Sequence, residues 1–230
     1  MPIFVSDFQN PIKMSLEKNY QNILSQLPAN VKLVTVSKTN PADKIKALYD
    51  LGQRAFGENK VQELLEKQEI LPNDVEWHLI GHLQTNKVKF IAGFISMIES
   101  VDSEKLLKEI DKEALKSNRK ISVLLQVKIA KEDTKFGLTT DETQAIFNKY
   151  LQGNYPNIEI KGLMGMASFV DDETQIREEF GILKQLFDEL SKLKPLETLS
   201  MGMSGDFPLA IECGSNSVRV GSAIFGERNY

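Results

Sequence analysis

The chain has 230 residues, 41% hydrophobic and 26% charged, a balance that excludes long disorder and fibrous classes. Twenty-eight basic against thirty-two acidic side chains give a net charge of −4, without the basic excess of nucleic-acid binders, and the one cysteine, Cys213, allows no internal disulfide. A reducing, cytoplasmic setting follows from that cysteine usage, while the opening MPIFVSDFQN is no secretory signal and the apolar segment 90–98 is too short to span a bilayer.

A helical pattern over residues 10–27 comes first, followed by a β-branched run at 31–37. From there short apolar runs alternate with amphipathic stretches. Helix 41–51 leads to strand 54–57, helix 59–70 to strand 76–81, and helix 85–91 to strand 95–101. The second half repeats the order: helix 103–117, strand 121–129, helix 140–152, strand 158–167, helix 172–193, strand 198–201, helix 206–213 and strand 217–220. Most of the strand runs are short and apolar with Val and Ile prominent, as expected where both faces are buried. Helix starts are marked by Asn40 before Pro41, Ser103 before Glu104, and Thr140 before Asp141 and Glu142. No Pro/Gly/Ser-rich linker interrupts the pattern, so residues 1–230 read as one domain.

Strands that alternate with helices pair in parallel through right-handed crossovers, either in an open doubly wound sheet or in a closed barrel. Eight strand candidates in a chain of this length favour an α/β fold of the (β/α)8 TIM-barrel type, with an extra N-terminal helix. The dinucleotide fingerprint is missing after the first strand, which reads Val34-Thr-Val-Ser-Lys-Thr-Asn40.

In such a barrel the chemistry gathers at the C-terminal ends of the strands. Those ends carry Lys38, Glu58 and Asn59, Gly81 and His82, Met166 to Ser168, Ser200 to Gly205, and Arg219, Gly221 and Ser222. The turns Ser200-Met-Gly-Met-Ser-Gly and Val220-Gly-Ser-Ala follow strands 7 and 8, the usual phosphate cradle of this architecture. Lys38 shares its side-chain parity with Val34 and Val36. Its amine would enter the barrel mouth if that face points inward, and would there be nucleophilic toward carbonyls. Spacing alone does not separate this from a solvated lysine at a strand end. Because strand 8 borders strand 1 in a closed barrel, amine and phosphate site would adjoin, which suits a ligand carrying both an aldehyde and a phosphate. His78 and His82 are four apart but span strand and turn, so they do not form a helical zinc pair, and Cys213 reads as a small hydrophobe.

A resemblance enters at these residues. The motifs are Val36-Ser-Lys38, Phe56-Gly-Glu-Asn59 with Val61-Gln-Glu63, and Trp77-His-Leu-Ile-Gly-His-Leu-Gln-Thr-Asn-Lys87. They continue with Lys135-Phe-Gly137, Gly162-Leu-Met-Gly-Met166, Leu199-Ser-Met-Gly-Met-Ser204 with Asp206, and Val218-Arg-Val-Gly-Ser-Ala-Ile-Phe-Gly226. Together they resemble the pyridoxal-phosphate homeostasis proteins, single-barrel relatives of the N-terminal domain of alanine racemase. Ser222 stands where threonine is common in that family, and Asn216 replaces another usual threonine. The resemblance implies that Lys38 holds the aldehyde of pyridoxal 5′-phosphate as an imine. It further implies that Ser200, Ser204, Gly221 and Ser222 bind the phosphate, that Arg219 faces the pyridine nitrogen, and that Asn59 lies near the ring. It also implies a protein that carries the cofactor in intracellular homeostasis, with apo forms of cofactor-dependent enzymes as recipients and no settled catalytic reaction.

The contrasting reading is a racemase or lyase that uses the same Lys38 imine. Racemisation needs a second acid/base opposite the lysine, a tyrosine in the related enzymes, and Tyr20, Tyr49, Tyr150, Tyr155 and Tyr230 all fall away from strand C-terminal ends. A third reading, a phosphosugar isomerase, keeps the phosphate site and gives Lys38 a sugar carbonyl. With no second domain to complete a shared site, a monomer is expected, without nucleic-acid or membrane partners. Lys135, in a loop beyond strand 5, is a candidate for assisting cofactor release, against the plain alternative of a solvated loop lysine.

Overall fold

Val34 stands opposite Arg219, and Thr35 opposite Val220, in parallel register between the first and last strands, and this pairing closes the sheet into a barrel. The computed structural model describes residues 11–131 and 136–226, with side chains from Met14 onward. Lys135, and with it the expected release role, lies outside those residues.

In chain order the elements are α1 (Pro11–Gln26), β1 (Lys32–Val36), α2 (Ala42–Asp50), β2 (Ala55–Glu58), α3 (Val61–Gln68) and β3 (Glu76–Leu79). A 3-10 turn (Thr85–Lys87) then runs into α4 (Val88–Ile91), followed by β4 (Met97–Val101), α5 (Glu104–Lys116) and β5 (Ile121–Val127). The chain continues through α6 (Thr140–Leu151), β6 (Ile158–Gly165), α7 (Glu173–Leu193), β7 (Thr198–Ser200), α8 (Phe207–Glu212), β8 (Ser217–Val220) and α9 (Ser222–Phe225). The strands pair in sequence order around the barrel, so the expected (β/α)8 architecture is the observed one.

Except for β2 and β8, the strands are shorter than the apolar runs that announced them. Ile129 and Ala167 are buried beyond the ends of β5 and β6, where the chain has left the ladder but still packs on the core. Several helix starts shift by one or two residues. Pro41 stays extended (ψ 156°), so α2 begins after it, and α6 is capped by Thr139 rather than Thr140. Thr139 and Glu142 satisfy each other's backbone N–H groups, a reciprocal cap that leaves Thr140 as the first helical residue. Ser103 caps α5 as expected, its Oγ accepting from the Leu106 N–H at 3.3 Å.

Strand alternation divides the buried side chains between two compartments. Leu33, Phe56, Trp77, Leu79, Val218 and Val220 join the large apolar cluster under the helices. Val34 and Val36, equally buried but outside that cluster, belong to the barrel interior. That interior is unusual for its polar girdle of His78, Glu99, Ser200 and Arg219, all less than 5% exposed. Barrel interiors are commonly filled by branched aliphatics, so such a layer requires mutual pairing. The extra helix α1 packs against α2 and α9, and Asn19 Nδ2 donates to the Ile224 carbonyl at 3.2 Å.

Candidate functional site

At the C-terminal mouth of the barrel a cleft of about 590 Å³ opens between the ends of β1, β2, β6 and β8 and the loop after β7. Lys38, Asn59, Ser204, Arg219, Gly221 and Ser222 all line it. Lys38 reaches it because β1 alternates: Thr35 and Ser37 are directed to the helix side, while Val36, two residues earlier on the Lys38 face, also lines the cleft. Asn59 follows Glu58 on β2 in the same way. The end of β3 crosses Asn59 so closely that a Cβ on Gly81 would lie 2.5 Å from the Asn59 carbonyl oxygen, a contact only glycine permits.

The loops after β7 and β8 are knitted together by one hydroxyl. Ser204 Oγ accepts from the Gly221 N–H at 3.2 Å and from the Ala223 N–H at 3.3 Å. Gly221 itself presses on β1, where its Cβ position lies 3.1 Å from both the Val36 Cβ and the Val36 carbonyl oxygen. A larger residue would push the loop away from Lys38. Asp206 secures the other side of the turn by accepting from the Met203 N–H at 2.5 Å.

Arg219 forms the floor, 4% exposed yet in contact with the cleft. Its Nη1 donates to Ser200 Oγ at 2.6 Å and its Nη2 to the Gly165 carbonyl at 2.9 Å. Burial draws the guanidinium pKa down, against the charges of Glu99 and Asp206, which hold it up. Glu99 completes the network, accepting from Ser200 Oγ at 2.6 Å and from His78 Nδ1 at 2.6 Å. Burial alone would raise the Glu99 pKa, but the His78 hydrogen bond and the charges of His78 and Arg219 together leave it lowered.

Ser200 is placed apart from the other expected phosphate ligands. It is fully buried, its hydroxyl is engaged by Glu99 and Arg219, and it does not line the cleft. Glu99 and His78 are the residues that sequence reasoning missed at this site. Their signal was a carboxylate and an imidazole inside otherwise apolar strand runs, which in a closed barrel must face each other. The histidines go to separate partners, since His82 pairs with Asp102 at 2.7 Å and stacks on Phe136. Among the described residues no group of three His, Cys, Asp or Glu side chains could hold a metal ion, and no helix is long and apolar enough to cross a membrane.

The far wall of the cleft comes from the β6–α7 loop, with Met166, Ser168, Phe169 and Asp171. Glu179 of α7 anchors it by accepting from the Ser168 N–H at 2.6 Å and from Ser168 Oγ at 2.7 Å.

The family model described as the alanine racemase N-terminal domain matches residues 13–229. A pyridoxal phosphate homeostasis protein of Aquifex aeolicus is 42% identical over 202 residues, covering 86% of this chain and 88% of that protein. The human protein of the same name is 42% identical over 219 residues, covering 89% of this chain and 79% of its own. Among solved structures, PipY of Synechococcus elongatus with pyridoxal phosphate bound superposes with a TM-score of 0.84 at 35% identity, over 92% of this chain and 100% of that one. An alanine racemase of Clostridium difficile shares the fold, with a TM-score of 0.80 at 15% identity, and this chain covers 60% of it.

Proposed function

Because the chain belongs to the alanine racemase N-terminal-domain family and, within it, to the pyridoxal phosphate homeostasis proteins, we propose that it binds pyridoxal 5′-phosphate and carries it in cofactor homeostasis without a catalytic cycle of its own. The observation that carries this reading is the juxtaposition in one cleft of a lysine amine, a guanidinium floor and two small-residue loops. The donor set fits the cofactor group by group. Lys38 would offer a primary amine to the aldehyde. Ser204 and Ser222 would offer hydroxyls for the phosphate, while Gly221, whose N–H is held by Ser204 Oγ, keeps the two loops together. Arg219 offers a permanent cation for the pyridine nitrogen, and Asn59 an amide beside the ring.

The cofactor supplies an electrophilic carbonyl and an electron-accepting ring when bound; the protein decides how much of that chemistry is used. A guanidinium at the ring nitrogen opposes its protonation and so weakens electron withdrawal. The tyrosines support a carrier rather than a two-base racemase. Tyr20 donates to Gln53, Tyr49 to Asp74 and Tyr155 to Glu104, and none of the described tyrosines lines the cleft. The proposal takes the chain as one domain acting as a monomer, with apo forms of cofactor-dependent enzymes as recipients.

The test is a visible spectrum of the protein with pyridoxal phosphate, then borohydride reduction and peptide mapping. The expected product is a pyridoxyl group on Lys38, with no turnover of an amino-acid panel beyond stoichiometric exchange. A reduced lysine elsewhere overturns the site, and multiple turnovers of one amino acid overturn the carrier role.

A further inference from the structure

The segment that carries Lys38 is braced from behind by a buried charge cluster. Lys67 of α3, with its side chain 7% exposed, directs its ammonium to the Ser37 carbonyl at 2.9 Å, to Glu58 Oε1 at 2.7 Å and to Glu63 Oε1 at 2.6 Å. An ammonium has three hydrogens, and all three are used. Ser37 Oγ donates to the same Glu58 oxygen at 2.5 Å, and the Thr39 N–H donates to the same Glu63 oxygen. The carbonyl before Lys38 and the amide after it are thus both tied to one cluster.

Two further features of the backbone coincide with this cluster. Thr39 has φ 64°, the left-handed region that a β-branched residue rarely enters, and its N–H is the group Glu63 holds. Glu58 is the last residue of β2, immediately before Asn59, so the cluster ties together Ser37 and Glu58, whose next residues, Lys38 and Asn59, line the cleft. Buried ion clusters are poor sources of net stability but strong geometric constraints.

We infer that Lys67 is a positioning residue for Lys38. Together with Glu58 and Glu63 it fixes where β1 ends and therefore the line along which the Lys38 amine enters the cleft. The inference rests on the reading of Lys38 as the amine that takes the cofactor.

The test uses Lys67→Met, the double variant Lys67→Met/Glu58→Gln, which removes the buried charges together, and Glu63→Ala, which removes the Thr39 acceptor at a partly exposed position. Each full-length variant is saturated with pyridoxal phosphate. Total bound ligand is read by equilibrium dialysis, the rate of covalent attachment by the growth of the visible band, and its place by borohydride trapping. Total binding is expected to stay at the wild-type level, because the phosphate loops are untouched. The attachment rate is expected to fall about tenfold or more in the Lys67 variants and severalfold in Glu63→Ala, as for a displaced reacting group. A cluster that only supports the fold would lower binding, attachment and thermal midpoint in parallel, and that pattern overturns the inference. So does an unchanged rate in every variant that folds, Glu63→Ala deciding if the Lys67 variants do not. If the wild type itself shows no trapped group on Lys38, the reading of Lys38 fails and this inference with it; if the wild type traps there and the variants match its rate, only the positioning role is lost.

Discussion

Arg219 faces Val34 across the seam where β8 meets β1, and Lys38 follows Val34 by four residues on the same face. The Arg219 backbone therefore sits two same-face positions below Lys38, on the strand next to the one that carries the amine. Replacing Lys38 by alanine should remove all borohydride-trappable cofactor while the thermal midpoint stays near that of the parent, since a partly exposed mouth residue contributes function more than packing. Calorimetry alongside peptide mapping checks both halves.

Arg219 has a second role that its buried partner reveals. With Arg219→Met, Glu99 keeps only His78 and Ser200 around a carboxylate that is 1% exposed. Breaking a buried pair from one side costs about 3–5 kcal/mol, so urea unfolding should show a clear loss. Arg219→Met/Glu99→Gln should recover part of it, because the carboxylate goes with its guanidinium while His78 loses its charged acceptor. If the double variant is no more stable than the single one, Glu99 is not the counter-charge.

Ser204→Ala deletes the hydroxyl that accepts from Gly221 and Ala223. Affinity for pyridoxal phosphate should fall by about 1–3 kcal/mol, the cost of a lost desolvated hydrogen bond. Binding of unphosphorylated pyridoxal should hardly change. Titration of both ligands separates a phosphate effect from general loosening of the mouth.

On the acid side, Glu104 offers a pH test. Hydrogen bonds from Lys149, Lys108 and Tyr155 hold its pKa at about 2, down from 4.5. A depressed folded-state value means stabilisation that is fully present above about 4.5 and lost as the pH falls toward about 2. Glu104→Gln should therefore lower the thermal midpoint at neutral pH by a small amount, because the group is partly solvated, and the two curves should converge in that acid window. A gap that stays constant throughout would contradict the assignment.

What the sequence by itself determined were the properties that local periodicity encodes. Alternating strand and helix patterns favoured the barrel, strand ends located the mouth, and parity put Val34, Val36 and Lys38 on one face, whose inward direction the closed barrel then decided. The tertiary structure decided everything that depends on partners distant in the chain. Ser200 looked like a phosphate ligand because it begins a small-residue turn, but closure of the barrel brings Glu99, 101 residues away, to within 2.6 Å of its hydroxyl. Lys67 was one more charged residue on an amphipathic helix until α3 docked behind β1 and placed its ammonium on the Ser37 carbonyl. A residue's direction follows from its own strand or helix, whereas its hydrogen-bond partner is chosen by which strands and helices meet. Only the folded barrel, which forces buried polar groups to find one another, makes that choice.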